Sequence, residues 1–539
     1  MMKLDVLALQ GTNKVMQAYN EDKEFLHTFF DYGNEENAYP ARVAELASRP
    51  FERRQLAETV RAFMEPFGIS ANADKHIKEL AENAVAVVGG QQAGVLTGPL
   101  YSVHKAITVI LLARKQRASL GIPVVPVFWV AGEDHDLNEI NHTYTELNGR
   151  AVKQQYHEKF VLKLMASDAV YDSVQMTSFI KGVFGKFGET AYTKDLLDEV
   201  LEAVQQEKTF TQFFVRLMNG LFQAEGLLFI DSAFKPLRQL EKNHFIQLIE
   251  ESEQLAEKIT TKEELFAAQG FGSPISADRD AANLFYVHET GRVLLSRKDG
   301  DFINDSLGLR FTTAEMLEIA NEQPWLLSNN VATRPIMQDL VFPVLAFVGG
   351  PGEIAYWAVL KEAFHHVGLK MPIIVPRISI TLVTPQVKQA LDKKSFTVED
   401  VMAGQVFTAR EQFVDDLRDE EFNAAIDETA QMLNTQYDRI AKLSQPQGVM
   451  MQDLAQKNLL FHTKQLNYLK AKAEDTLLLK HDTALRTFGL LEGELFPEGA
   501  LQERLYAPYV YLNSYGPTLI QDLLQLPFEI DGTHKVVYL

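Results

Sequence analysis

The chain of 539 residues contains no cysteine. That absence excludes disulfides, thiolate metal sites and a cysteine nucleophile, so any metal must be held by His, Asp or Glu and no zinc is expected. Basic charge is also short: 52 Lys and Arg face 72 Asp and Glu, a net charge of −20. Such a surface repels DNA, RNA and anionic lipid, so neither a nucleic-acid nor a membrane partner is expected. Long apolar runs are missing too. The opening MMKLDVLALQGTNK lacks a signal-peptide core, and no segment approaches the ~20 apolar residues that span a bilayer, which makes a cytoplasmic protein the expectation.

What is present organises into more than one hydrophobic core, because a chain of this length outgrows a single one. Residues 1–80 read as charged helices, as in RVAELASRPFERRQLAETVRAFMEPFG, forming a segment that packs on the core. Five apolar runs then punctuate 81–390: AVAVV from Ala84, VVPVFWVA from Val124, LLFID from Leu227, PVLAFVGG from Pro343 and PIIVP from Pro372. Near-continuous apolar runs between helical patterns predict strands buried on both faces of a parallel sheet, an α/β doubly wound core. The long intervals after the second and third runs call for inserted subdomains, at about 143–222 and 255–330. In the later one, NLFYVHETGRVLLSRKDG predicts a β-hairpin around its Thr-Gly turn.

The character changes after Lys394. Phe422, Ile426, Leu433, Tyr437 and Ile440 share one helix face, SQPQG interrupts at Pro446 and Gly448, and a second helix follows. There Ala455, Leu459, His462, Leu466, Leu469, Ala473 and Thr476 keep a 4-3 spacing. The pattern predicts a coiled-coil hairpin within 391–490, an antiparallel pair whose apolar stripe needs a cover, and a homodimer supplies one. The tyrosine-rich 491–539 returns to the core.

Ligands of open α/β sheets bind beyond the carboxyl ends of the strands. After the first run stand Gly89, Gly90, Gln91, Gln92, Thr97 and Gly98, then Pro99 and a helix carrying His104 and Lys105. The glycines are expected to let a ligand approach the backbone, and the helix start to attract an anion, although the pattern is neither G-x-G-x-x-G nor Walker A. The second run ends in AGEDHDLNEINH, placing Glu133, Asp134, His135, Asp136 and His142 together. Ionisable groups at that density serve a site, bind a metal or stay solvated. The fourth run leads to Gly349, Gly350 and Glu353, with Tyr356 and Trp357 behind as expected core. Asn330 and Arg334 precede it, a pairing suited to carboxylate or phosphate, and Arg377, Ser379 and Thr381 follow the fifth.

Together, VVGGQQAGVLTGPLYSVHK, PVFWVAGEDHDLNEIN, NNVATRP, FVGGPGEIAYW and KMPIIVPR, in this order, resemble the bacillithiol biosynthesis BshC family over essentially the whole chain. The resemblance implies a Rossmann-like core with connective-peptide insertions, a coiled coil that mediates homodimerisation, and the last step of bacillithiol synthesis. In that step cysteine is joined by an amide bond to the amino group of glucosaminyl-malate, with an adenine nucleotide (ATP, or ADP as bound) and Mg²⁺. The layout is also similar to class I aminoacyl-tRNA synthetases and pantothenate synthetase. However, GPLYSVHK stands where those enzymes carry His-x-Gly-His, and Arg377, Ser379 and Thr381 stand where they carry a Lys/Ser loop.

The working expectation is that the Gly89–Gly98 turn and its helix hold a phosphate or carboxylate, with His104 and Lys105 stabilising developing negative charge. Asp134, His135 and Asp136 then bind the amino sugar or Mg²⁺, one of them taking the proton of the attacking amine, and Arg334 meets the malate carboxylates. Two rivals stand beside it: a metal-dependent hydrolase or transferase using the Glu133–His142 cluster, and a non-catalytic pathway scaffold built on the helical hairpin.

Overall fold

The computed structural model describes residues 2–7, 13–33, 35–157 and 162–539. Parts of the expected N-terminal helical segment and of the first insertion fall on 8–12, 34 and 158–161, outside the described residues. The chain forms two compact units, one of 1–145, 151–383 and 501–539, the other of 146–150 and 384–500.

The first unit is built on a five-stranded sheet whose strands are the five apolar runs: β1 (Val85–Gln91), β2 (Val124–Val130), β3 (Leu228–Asp231), β4 (Val344–Gly349) and β5 (Ile373–Pro376). All four pairings are parallel, and the strand order is β5-β4-β1-β2-β3. The runs are continuous rather than alternating because helices cover both faces, leaving every residue of β2 buried. The sheet is Rossmann-like and β1 is its central strand. Chain order reverses between β1 and β4, so the crevice beyond their carboxyl ends is a topological switch point.

Helix α1 (Leu100–Leu120) has no single apolar face, and its stretch from Leu100 to Ala113 is mostly buried on all sides, as a helix enclosed between layers must be. It ends at Gly121, whose left-handed φ of 67° closes the last turn. Pro99 stands at its N-cap, one residue before the first-turn position expected for it. Two further helices approach the crevice, α2 (Thr333–Val341) and α3 (Pro351–Ala358).

An antiparallel five-stranded sheet spans 281–329 and includes the hairpin expected there, with His288 opposite Gly291. Strand β6 (Ser379–Val383) leaves the parallel sheet and pairs with His534–Tyr538, which also pairs with Lys3–Leu7. Both ends of the described chain thus meet in one small sheet.

In the second unit α4 (Glu420–Leu443) and α5 (Val449–Lys480) form the helical hairpin, antiparallel by the ion pairs Asp427–Lys470 and Arg418–Glu474. The expected 4-3 seam holds only in part. Ala455, Leu459, Leu466 and Ala473 turn inward, whereas His462, Leu469 and Thr476 are exposed and Thr463, Lys470 and Leu477 take their places. A helix of 3.6 residues per turn drifts against a strict seven-residue repeat, which carries the inward positions one residue along. Among the described residues, no helix is long and apolar enough to cross a membrane.

Candidate active site at the switch point of the parallel sheet

A cleft of about 310 Å³ opens beyond the carboxyl ends of the strands. Gly90, Gln91 and Gln92 line it from the end of β1, Asp134 from the loop after β2, Gly350 to Glu353 from the start of α3, and Arg377 from the loop after β5. Tyr101 and Lys105 reach it from α1, Arg334 from α2, Tyr356 from α3 and Arg504 from the C-terminal segment.

Lys105 is buried and all three of its N–H donors are used, on the Gly90 carbonyl (2.6 Å), Gln91 Oε1 (3.2 Å) and the Glu353 carboxylate. Burial pulls its pKa down, and Glu353 partly offsets that pull. Glu353 also accepts from the Gly350 N–H at 2.8 Å, capping α3. Lys105 therefore ties β1 to α3 and shapes the cleft wall, in place of the expected free cation.

Arg377 is held by Glu503 through two parallel bonds, Nη1 to Oε2 at 2.9 Å and Nη2 to Oε1 at 2.7 Å. Glu503 also accepts from Ser379 Oγ (2.8 Å) and the Ile380 N–H (3.2 Å), and its Oε2 lies 2.7 Å from His104 Nδ1. Burial pushes this carboxyl up, but Arg377 and the His104 hydrogen bond outweigh it and hold Glu503 well below the usual range. With Glu503 ionised, the His104 proton sits on Nδ1 and donates to it. His104 is fully buried, its pKa is lowered first by burial, and among the described residues its Nε2 has no hydrogen-bond partner. The expected contact between His104 and ligand is thus corrected: two buried bonds separate it from the cleft, and it steadies Arg377 through Glu503. Ser379 belongs to the same network, 2.9 Å from His534 Nδ1, while His534 Nε2 meets Thr381 Oγ1 at 2.8 Å. Burial drives His534 down to about 4.

Other expectations shift for steric reasons. A Cβ at Gly90 would lie 2.3 Å from the Trp129 carbonyl, and one at Gly89 would lie 2.7 Å from a Val109 methyl. These glycines let β2 and α1 pack closely on β1, and Gly89 does not line the cleft. Thr97 and Gly98, both at positive φ, form the buried left-handed turn into α1. Asn330 opens α2, its Oδ1 accepting from the Ala332 and Thr333 N–H groups, and its Nδ2 donates to Asn283.

The acidic run after β2 is dispersed. Asp134 alone lines the cleft, accepting from Gln92 Nε2 at 2.7 Å. Glu133 is buried against Arg238, whose other nitrogen holds Glu241 at 2.8 Å. Asp136 caps a short helix through the Asn138 N–H, and His142 Nδ1 is 2.9 Å from the Asn138 carbonyl. His135 packs edge-on against Phe285. Among the described residues no three His, Asp or Glu side chains converge as a metal site would require. Tyr356 is core by burial, yet its hydroxyl accepts from Arg334 Nη2 at 3.1 Å and it lines the cleft.

Two family models cover the chain: the bacillithiol biosynthesis BshC N-terminal Rossmann-like domain over 2–378, and the BshC C-terminal coiled-coil domain over 380–539. The chain belongs to the BshC family. A relative from Lysinibacillus sphaericus, named "Putative cysteine ligase BshC", is 45% identical over 538 residues, all of both chains. BshC relatives bearing the same name from Bacillus velezensis (36% identical, all of both chains) and Geobacillus kaustophilus (37%, 94% of each) are similar throughout. Among solved structures, an arginyl-tRNA synthetase assignment from Campylobacter jejuni aligns at 11% identity, covering 85% of this chain and 99% of that one. Its TM-score of 0.23 is too low to carry any inference.

Proposed function

We propose that this BshC-family chain is a ligase that joins the carboxylate of cysteine to the amino group of glucosaminyl-malate, forming bacillithiol. Kinship to relatives named cysteine ligases supports a ligase acting on cysteine, the amino-sugar acceptor follows from the family resemblance, and the cationic cleft at the switch point is the observation that carries the assignment to a site. Amide formation from a carboxylate is uphill in water, and ATP with Mg²⁺, when bound, supplies the activation. The N-terminal turn of α3 and Arg377 suit its phosphates, through a helix dipole and a fixed guanidinium.

Arg334 lies open to the cleft and suits a malate carboxylate, which it grips with a planar pair of donors. Asp134 is the cleft-lining carboxylate with no ion pair among the described residues, and it takes the proton as the amine attacks. Lys105, Glu503 and His104 hold the wall in place, so that these groups meet substrate without rearrangement. The helical hairpin pairs two copies of the chain, a reading supported by Leu454, Phe461 and Tyr468, exposed at 50%, 59% and 60% and seven residues apart on α5. Mass spectrometry of the purified protein with cysteine, glucosaminyl-malate and Mg-ATP tests the ligase. Bacillithiol and a matching nucleotide product are expected; no bacillithiol with any nucleotide removes the proposal.

A further inference from the structure

Four cationic side chains line the cleft and two of them are already neutralised, Lys105 by Glu353 and Arg377 by Glu503. Among the described residues the Arg334 guanidinium has one hydrogen-bond partner, the neutral Tyr356 hydroxyl. The Arg504 guanidinium lines the same cleft with neither a hydrogen bond nor an ion pair among the described residues. It belongs to a single turn, Gln502–Arg504, in which successive residues divide the work. Gln502 is bonded to the Leu382 backbone, Glu503 is buried on Arg377 and His104, and Arg504 faces the opening. Tyr101, beneath the Arg377 guanidinium, is close enough to Arg504 for its charge to pull the phenol pKa against the effect of burial. Two guanidinium groups without an ion pair among the described residues, against the one unpaired carboxylate of Asp134, leave the cleft an excess of positive charge that an anionic ligand can fill.

We propose that Arg504 and Arg334 form a two-point clamp for a dianionic group, so that the cleft selects ligands carrying two negative charges over those carrying one. The inference rests on the cleft being the substrate site. A dicarboxylate and a phosphate present the same chemistry to the clamp, and both are available in the proposed reaction.

Calorimetric titration of the full-length protein distinguishes them, with L-malate, inorganic pyrophosphate and monoanionic L-lactate as probes. Wild type is expected to bind malate or pyrophosphate more tightly than lactate. Arg504→Gln and Arg334→Gln are each expected to weaken that dianion by about tenfold or more while leaving lactate nearly unchanged, and Arg504→Lys to recover part of the loss. Loss for malate alone identifies a dicarboxylate clamp, and loss for pyrophosphate alone a phosphate clamp. Arg504 is exposed, so its substitution leaves the unfolding curve in place, which circular dichroism checks. The proposal falls if Arg504→Gln binds every dianion as wild type does, or if wild type binds none. Bacillithiol assays separate the two readings. An Arg504→Gln protein with unaltered dianion binding and full activity removes the clamp and leaves the ligase. A clamp intact by titration in a protein that makes no bacillithiol removes the ligase alone.

Discussion

The two units solve opposite problems. The sheet unit conceals its charge: His104, Glu503, Arg238, Glu133 and Asp231 are all buried, and nearly every one is paired. The helical unit exposes apolar surface, with Met450 at 79% and Leu454, Phe461 and Tyr468 at half or more. Buried charge with fixed partners holds a site in one geometry, whereas exposed apolar side chains await a partner. On the proposed reading, chemistry concentrates in the first unit and association in the second.

The sharpest way to break the contrast is to remove the centre of the buried network. Glu503→Ala strands Arg377 without a counter-charge and His104 Nδ1 without an acceptor, and losing one member of a buried pair costs about 3–5 kcal/mol. Urea unfolding should show a loss of that size, and a change below about 1 kcal/mol would mean that the network does not hold the wall.

Asp231, buried at the end of β3 and bonded to Ser167 Oγ at 2.5 Å, gives a smaller effect with a distinctive sign. Burial pushes its pKa up to about 6 from an ordinary 3.8. The folded state therefore binds the proton more tightly than the unfolded chain. Its contribution is fully present below about pH 3.8 and is lost as pH rises through about 6, where the buried anion costs up to about 3 kcal/mol. Asp231→Asn should gain stability relative to wild type by up to that amount between pH 4 and pH 7.5. A difference that does not vary with pH would contradict the buried-acid reading.

The smallest expected effect lies in the helical unit. Phe461→Asp alters an exposed position, so the stability of the monomer should change by no more than about 0.5 kcal/mol. Its mass in gel filtration should nevertheless fall from dimer to monomer, and an unchanged dimer would move the association surface elsewhere.

Much of this contrast can be read from sequence, because buried parallel strands are written as uninterrupted apolar runs and their carboxyl ends mark where ligands bind. Gly90, Gln91, Gln92, Lys105, Asp134, Arg334, Gly350, Glu353 and Arg377 were reachable by that route and line the cleft. Glu503 and Arg504 were not, since they arrive from a segment separated from β6 by the whole helical unit, and no local pattern records such a return. His104 misled because its position along α1 does not reveal which side faces the ligand, and Gly89 because close packing and ligand approach both require glycine. In the hairpin, apolar spacing located the helices, while the inward register depended on how far a 3.6-residue helix drifts from a repeat of seven.

The most direct test of the switch-point cleft is the rate of bacillithiol formation by Arg334→Gln beside wild type, at matched unfolding midpoints. A fall of about a hundredfold, near 2.7 kcal/mol of transition-state stabilisation, is the expected result. Formation at the wild-type rate would contradict the assignment of the cleft as the active site.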